Sequence, residues 1–182
     1  MSLCGIDEAG RGPVAGDLVV AGCILKEPIE GLNDSKKLTP KQRETLFETI
    51  IQKSRYHIVT HTAAQIDELG LSACMRRSLE EIVAVLKADE YLFDGNTTFG
   101  VNSLQTKIKA DATVSEVSAA SILAKVTRDR SMIKAAKQYP QYEFEKHKGY
   151  ITKRHIELIK KHGYCDIHRR SYRLKALQPS LF

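Results

Sequence analysis

The chain has 182 residues, enough for one sizeable core and short for two, and its 42% apolar and 27% charged residues are those of a globular domain, which excludes a disordered chain. Lysine and arginine (28) outnumber aspartate and glutamate (22), giving a formal charge of +6 that favours an anionic partner without specifying one. Four cysteines without a C-x-x-C pair (Cys4, Cys23, Cys74, Cys165), no leader-like start and no apolar stretch of about 18 residues exclude a disulfide frame, a zinc site and a membrane span, so a soluble cytoplasmic monomer with reduced thiols is expected.

Residues 3–7 and the apolar run 18–25 read as two strands joined by a turn rich in Gly and Pro, hence a hairpin. Thr39-Pro40-Lys41-Gln42 combines an N-cap threonine, a proline at the first helical position and a glutamine at the third, followed by Leu46, Phe47, Ile50 and Ile51 on one face, so a helix starts there. Residues 56–62 alternate as a third strand. Met75, Leu79, Ile82, Val83 and Leu86 repeat at helical spacing behind a Ser72 cap, and 91–93 form a fourth strand that stops at Asp94-Gly95. A short fifth strand is expected over 106–111 and a long helix over about 113–138, with a small-residue face at Ser118-Ala119-Ala120-Ser121. One more helix runs to about Lys161. Basic residues crowd the last forty positions, in Lys146-His147-Lys148, Lys153-Arg154-His155, Lys160-Lys161-His162 and His168-Arg169-Arg170, which suggests a side that faces phosphates. Strands and helices interleave after the hairpin, so the fold class is α/β, a mixed sheet with helices packed on it.

Asp7, Glu8, Asp94 and Asp111 each fall at or just beyond the end of an expected strand, where ligands of open α/β sheets tend to bind. Asp7 and Glu8 share a site only if the strand ends or twists there, because successive strand residues face opposite sides. Four carboxylates brought together repel unless divalent cations compensate, and oxygen-only ligands suit magnesium or manganese. Two such ions, about 3.5–4 Å apart, activate a water and steady the leaving oxygen of a phosphodiester. The same acids also suit turn chemistry, and Asp94-Gly95 taken alone reads that way.

Six motifs in order carry a resemblance: Asp7-Glu8-Ala9-Gly10-Arg11-Gly12-Pro13, Asp34-Ser35-Lys36-Lys37-Leu38-Thr39, Asp94-Gly95, the run from Ala119-Ala120-Ser121 to Thr127-Arg128-Asp129, His147-Lys148-Gly149-Tyr150, and His168-Arg169-Arg170-Ser171-Tyr172. Together they resemble ribonuclease HII over residues 3–172. The resemblance implies a ribonuclease H-like mixed five-stranded sheet flanked by helices with a small C-terminal helical extension. It implies a catalytic domain over 1–172 and a tail over 173–182. The implied activity is endonucleolytic cleavage of RNA hybridised to DNA, or 5′ of a ribonucleotide embedded in duplex DNA, leaving 3′-hydroxyl and 5′-phosphate ends.

On the same footing, Asp7, Glu8, Asp94 and Asp111 are implied ligands of two Mg2+ or Mn2+ ions, although Ala110 stands where the family usually has glycine. Gly10, Arg11 and Gly12 are implied to meet the ribose, whose 2′-hydroxyl separates RNA from DNA, with Tyr150 stacking on the sugar or base. Ser35 and Lys36 are implied substrate contacts, the lysine on a phosphate. Alternatives stand beside these roles: a salt-bridging Arg11, a partly buried core Tyr150, and for Arg128-Asp129 a surface pair or outer-sphere help to a metal. The histidines show no metal-ligand pattern. Gln178-Pro179-Ser180-Leu181-Phe182 resembles the pentapeptide with which bacterial replication and repair proteins dock on the sliding clamp, Gln178, Leu181 and Phe182 being the anchors; packing on its own domain is the alternative. The rival functions are a silent binder of RNA–DNA hybrids and another nuclease on the same fold.

Overall fold

The computed structural model describes residues 1–32 and 37–177. A five-stranded sheet of order β3-β2-β1-β4-β5 lies at its centre, formed by β1 (Leu3–Ala9), β2 (Leu18–Leu25), β3 (Ser54–His61), β4 (Glu90–Asp94) and β5 (Leu104–Lys107). β1 and β2 make the expected hairpin and β3 extends it antiparallel, whereas β4 runs parallel to β1 and β5 parallel to β4. β2 is buried on both faces: Leu18, Val20 and Ile24 turn one way and Val19, Ala21 and Cys23 the other, which is why its sequence is an unbroken apolar run.

On the first face, α2 (Ala63–Leu69) and α3 (Leu71–Val85) cover the sheet with Ile66, Met75, Leu79 and Ile82. On the second, α1 (Pro40–Lys53) brings Phe47 and Ile50, and α4 (Ser115–Gln138) brings Ala119, Ala120, Ile122, Leu123 and Val126. The Thr39 cap and its reciprocal bond with Gln42 start α1 as expected. Two helix starts differ from the sequence-based expectation. Strand β3 ends at His61, so that Thr62 caps α2, a helix the alternating pattern concealed. Ser72 lies inside α3, which follows directly on Gly70 at φ 84°.

The small-residue face of α4 lets it approach β1 closely. A Cβ on Gly5 would lie 2.2 Å from the carbonyl carbon of Glu116 and 2.3 Å from the amide nitrogen of Val117, so any side chain there pushes α4 off the sheet.

The C-terminal extension contains α5 (Phe144–His147) and α6 (Lys153–His162). Tyr142, Phe144 and Leu158 pack there on Met132 of α4 and on Ala15 of the β1–β2 connection. The basic stretch does not simply face outward. His155, His168 and Arg169 are buried, and Lys146 and Arg154 pair with Glu143. The four cysteines are free, with Cys4, Cys23 and Cys74 buried. Among the described residues no helix is long and apolar enough to cross a membrane.

Candidate active site

Pairing of β1 with β4 stops at Ile6 opposite Phe93, while its pairing with β2 continues to Ala9. Asp7 and Glu8 therefore lie inside a strand rather than at its end, on a stretch whose β4 side is open. Asp94 ends β4. Asp111 is not at a strand end: β5 stops at Lys107, and Asp111 sits in a 3-10 turn over Ala110–Ala112. Lys109, at φ 59°, turns the chain back, and Asp94 accepts the amide N–H groups of Lys109 (2.9 Å) and Asp111 (3.2 Å). One carboxylate thus fixes the turn that presents another.

Asp7, Asp94 and Asp111 each offer an oxygen, and these oxygens all lie within 4.8 Å of one another. Glu8 stands outside this trio, as alternation along the strand dictates. Its Oε1 accepts from Arg11 Nη1 at 3.3 Å, and its buried Oε2 has no hydrogen-bond partner among the described residues. Arg11 is thus the salt-bridging arginine of the alternative above, yet it lines the same cleft and lies 5.4 Å from the Phe99 ring centre.

Burial pushes the Asp7 carboxyl well above its usual range, the charge of Glu8 adds to this, and hydrogen bonds from Ser121 and from the Glu8 amide oppose it. Burial raises Glu8 as well, against the pull of Arg11. Such a crowd of carboxylates calls for compensating positive charge, and an all-oxygen set, with one buried oxygen unpartnered, fits a hard divalent cation better than zinc.

The acids share a cleft of about 440 Å³ with Gly10, Arg11, Gly12 and Tyr150, and with Arg43, Ser121 and Lys125. The last three were not singled out from the sequence as site residues. Lys125 is one helical turn beyond Ser121, a spacing that puts both on one face of α4, and Asp129 holds its ammonium at 2.9 Å. Asp129 therefore serves Lys125, and Arg128 is no surface residue but is buried. Ser35 and Lys36 lie outside the described residues, as do Gln178, Leu181 and Phe182.

Buried arginines hold the loop between β1 and β2. Gly10 has φ +95°, and a Cβ there would meet Arg128 Nε at 2.2 Å. Arg128 donates to the carbonyls of Asp17 (2.9 Å) and Ala15 (3.0 Å), and its guanidinium lies 5.6 Å from the Tyr150 ring centre. Burial lowers it to about 10, which leaves it cationic at neutral pH. Arg169 donates to the carbonyls of Gly10 (2.6 Å), Arg11 (3.1 Å) and Gly16 (3.0 Å), and the Tyr172 hydroxyl donates to the Arg11 carbonyl at 2.7 Å.

Tyr150 is 44% exposed, which rules out a core tyrosine. A relay of neutral histidines holds its backbone. The Cys165 amide donates to His168 Nδ1 (2.9 Å), which puts the His168 proton on Nε2, facing His155 Nε2 (3.0 Å). His155 then donates from Nδ1 to the Tyr150 carbonyl at 3.0 Å. Burial takes both rings down to about 4, in keeping with their neutral form.

The family model of ribonuclease HII matches residues 4–175. Ribonuclease HII of Sulfurovum sp. (strain NBC37-1) is 60% identical over 181 residues, 99% of this chain and 96% of the relative. That of Aliarcobacter butzleri (strain RM4018) is 60% identical over 178 residues, 97% and 93% of the two chains. Among solved structures, RNase HII from Archaeoglobus fulgidus, in complex with PCNA, superposes with a TM-score of 0.82 at 27% identity, covering 100% of this chain and 98% of that one. Ribonuclease H2 from Pyrococcus horikoshii OT3 superposes with a TM-score of 0.76 at 33% identity over 94% of each chain. With its length matched almost throughout, the mixed sheet in common and an acidic cleft at the sheet's open end, the chain belongs to the ribonuclease HII family and is an endoribonuclease of the ribonuclease H type.

Proposed function

We propose that the cleft hydrolyses the phosphodiester on the 5′ side of a ribonucleotide held in a duplex, or the RNA strand of an RNA–DNA hybrid, and leaves 3′-hydroxyl and 5′-phosphate ends. The observation that carries this is the meeting of Asp7, Asp94 and Asp111 within 4.8 Å, beside a Gly-Arg-Gly loop in the same cleft. In this reading the trio, with Glu8 as fourth ligand once it leaves Arg11, holds two divalent cations, Mg2+ or Mn2+. Bound there, such ions supply activation of the attacking water and charge stabilisation at the departing 3′-oxygen. The chain's own groups do the rest. Ser121 orients Asp7 through its hydrogen bond. Lys125, steadied by Asp129, and Arg43 bring positive charge to the phosphates. Gly10, Arg11 and Gly12 present backbone to the 2′-hydroxyl, and Tyr150, backed by Arg128, stacks on the sugar or base. Ser35 and Lys36 are taken as further substrate contacts, the lysine on a phosphate.

A duplex with one embedded ribonucleotide tests the reading. Magnesium- or manganese-dependent cutting 5′ of that residue is expected, with a fall on the order of 10³-fold in Asp94→Asn. Equal cutting of an all-DNA duplex, or full activity of the variant, overturns it.

We also propose a sliding clamp as partner, reached through Gln178, Leu181 and Phe182. The PCNA complex of the Archaeoglobus relative supports a partner of this kind. Clamp pull-down with and without the last five residues tests it, and equal recovery rejects the tail as the anchor.

A further inference from the structure

We propose that Arg169 and Tyr172 are positioning residues for ribose selection, acting by turning the two peptide units of the Gly10-Arg11-Gly12 loop so that their N–H groups face the substrate. The inference rests on the proposal that this loop meets the ribose, and it adds how the loop is aimed. In a planar trans peptide the C=O and the N–H point in opposite directions, and no cis peptide occurs among the described residues. The carbonyl of Gly10 is tied to Arg169 Nη2 at 2.6 Å, so the N–H of Arg11, its partner in the same peptide, points away from Arg169. The carbonyl of Arg11 is tied twice, to Arg169 Nη1 at 3.1 Å and to the Tyr172 hydroxyl at 2.7 Å, so the N–H of Gly12 is turned outward as well.

Among the described residues nothing accepts from either N–H, whereas Gly10, Arg11 and Gly12 line the acidic cleft. Pro13 has no N–H, so the pair of donors ends there. Two adjacent donors of fixed direction suit an acceptor oxygen that RNA has and DNA lacks, the 2′-hydroxyl.

The aiming device is itself anchored. Arg169 is buried, its Nη1 also donates to the Tyr172 hydroxyl (3.0 Å), and its Nε donates to the Gly16 carbonyl. Asp67 of α2 accepts the amides of Arg170 (2.8 Å) and Ser171 (2.9 Å), which fixes the segment on which the arginine stands. Charge alone does not do this, because the two carbonyls require two separate N–H arms of one rigid fork; a lysine offers a single point.

The test measures binding in EDTA, where a metal-dependent nuclease does not cut, to a duplex with one ribonucleotide and to the same duplex in all-DNA form. The ratio of the two affinities is the readout. Tyr172→Phe keeps the ring and removes the hydroxyl, and a fall of about tenfold in the ratio is expected, the scale of one hydrogen bond. Arg169→Lys is expected to lower it at least as much. Circular dichroism and melting establish that each variant is folded. A merely structural role weakens both affinities together and leaves the ratio unchanged, and that result overturns the proposal, as does an intact ratio in Arg169→Lys. Gly12→Val separates this from the underlying reading, since a Cβ on Gly12 meets nothing within 4 Å and the fold accepts it. A ratio lost in Gly12→Val but kept in Tyr172→Phe removes the aiming role and leaves the loop's role standing. A ratio kept in Gly12→Val removes the loop's role, and the aiming role with it.

Discussion

Asp7→Asn is expected to stabilise the metal-free protein while abolishing cleavage. One carboxylate oxygen from each of Asp7, Asp94 and Asp111 lies within 4.8 Å of the other two, and at an effective dielectric of about 20 each ionised pair at that separation repels by about 3 kcal/mol. Burial already biases Asp7 toward its protonated form, so only part of this repulsion operates at neutral pH, and its relief is worth on the order of 1–3 kcal/mol. For a chain of 182 residues, each kcal/mol moves the melting temperature by about 2–4 °C. Asparagine preserves the local bonding: its carbonyl accepts the Glu8 amide, now 2.8 Å from Asp7 Oδ1, and its NH2 donates to the Ser121 hydroxyl, which rotates to accept. Manganese reverses the order, because an ion bound only by the native state adds about 2.7 kcal/mol at a hundredfold excess over its Kd. Scanning calorimetry of both proteins, in EDTA and in MnCl2, reads the two effects separately. A variant that melts below the wild type in EDTA and gains as much from manganese would refute the electrostatic account of this site.

Acid weakens the C-terminal extension. His155 and His168 fall from an ordinary 6.5 to about 4 on folding, so the unfolded chain takes up more protons between those values, and the stability they contribute is complete above pH 6.5 and is lost as pH falls toward 4. At pH 5 the loss is on the order of 1–2 kcal/mol for each ring, whereas Asp7 and Glu8, raised by burial, act in the opposite sense. Urea unfolding against pH, with ring resonances followed by NMR, checks this; a His168 ring that titrates near 6.5 contradicts the relay. Gly5→Ala forces α4 away from β1, with an expected cost of about 1–3 kcal/mol and a slower single-turnover cut, because Ser121 and Lys125 ride on that helix. An unchanged melting temperature would show that the close contact is not tight.

The hairpin, the Thr39 helix start and the long α4 were legible because each has a local cause: an apolar run, a capping box, a row of small residues. The start of α2 has the same signature, Thr62 and Gln65 reproducing the bonds of Thr39 and Gln42, but it follows directly on β3 and was absorbed into the strand's alternation. The sequence offers Asp111 as a candidate acid but gives no sign of its 3-10 turn, since that turn is fixed by Asp94, seventeen residues earlier. Arg128 and Arg169 carry no local signal. A buried arginine paired with backbone carbonyls has no partner that a sequence marks, so its charge looks like any other on a basic surface. The separation of Glu8 from the other acids is half visible in the sequence, because strand alternation demands it while the resemblance groups all four.

The grip of Arg169 on Gly10 joins positions 159 residues apart. During synthesis the ribosome delivers the acidic residues of β1 first, and the arm that sets the neighbouring peptide units emerges more than a hundred and fifty codons later. A growing polypeptide therefore cannot close the contact that holds this loop until Arg169 itself has been made, long after the acids of β1 have left the ribosome.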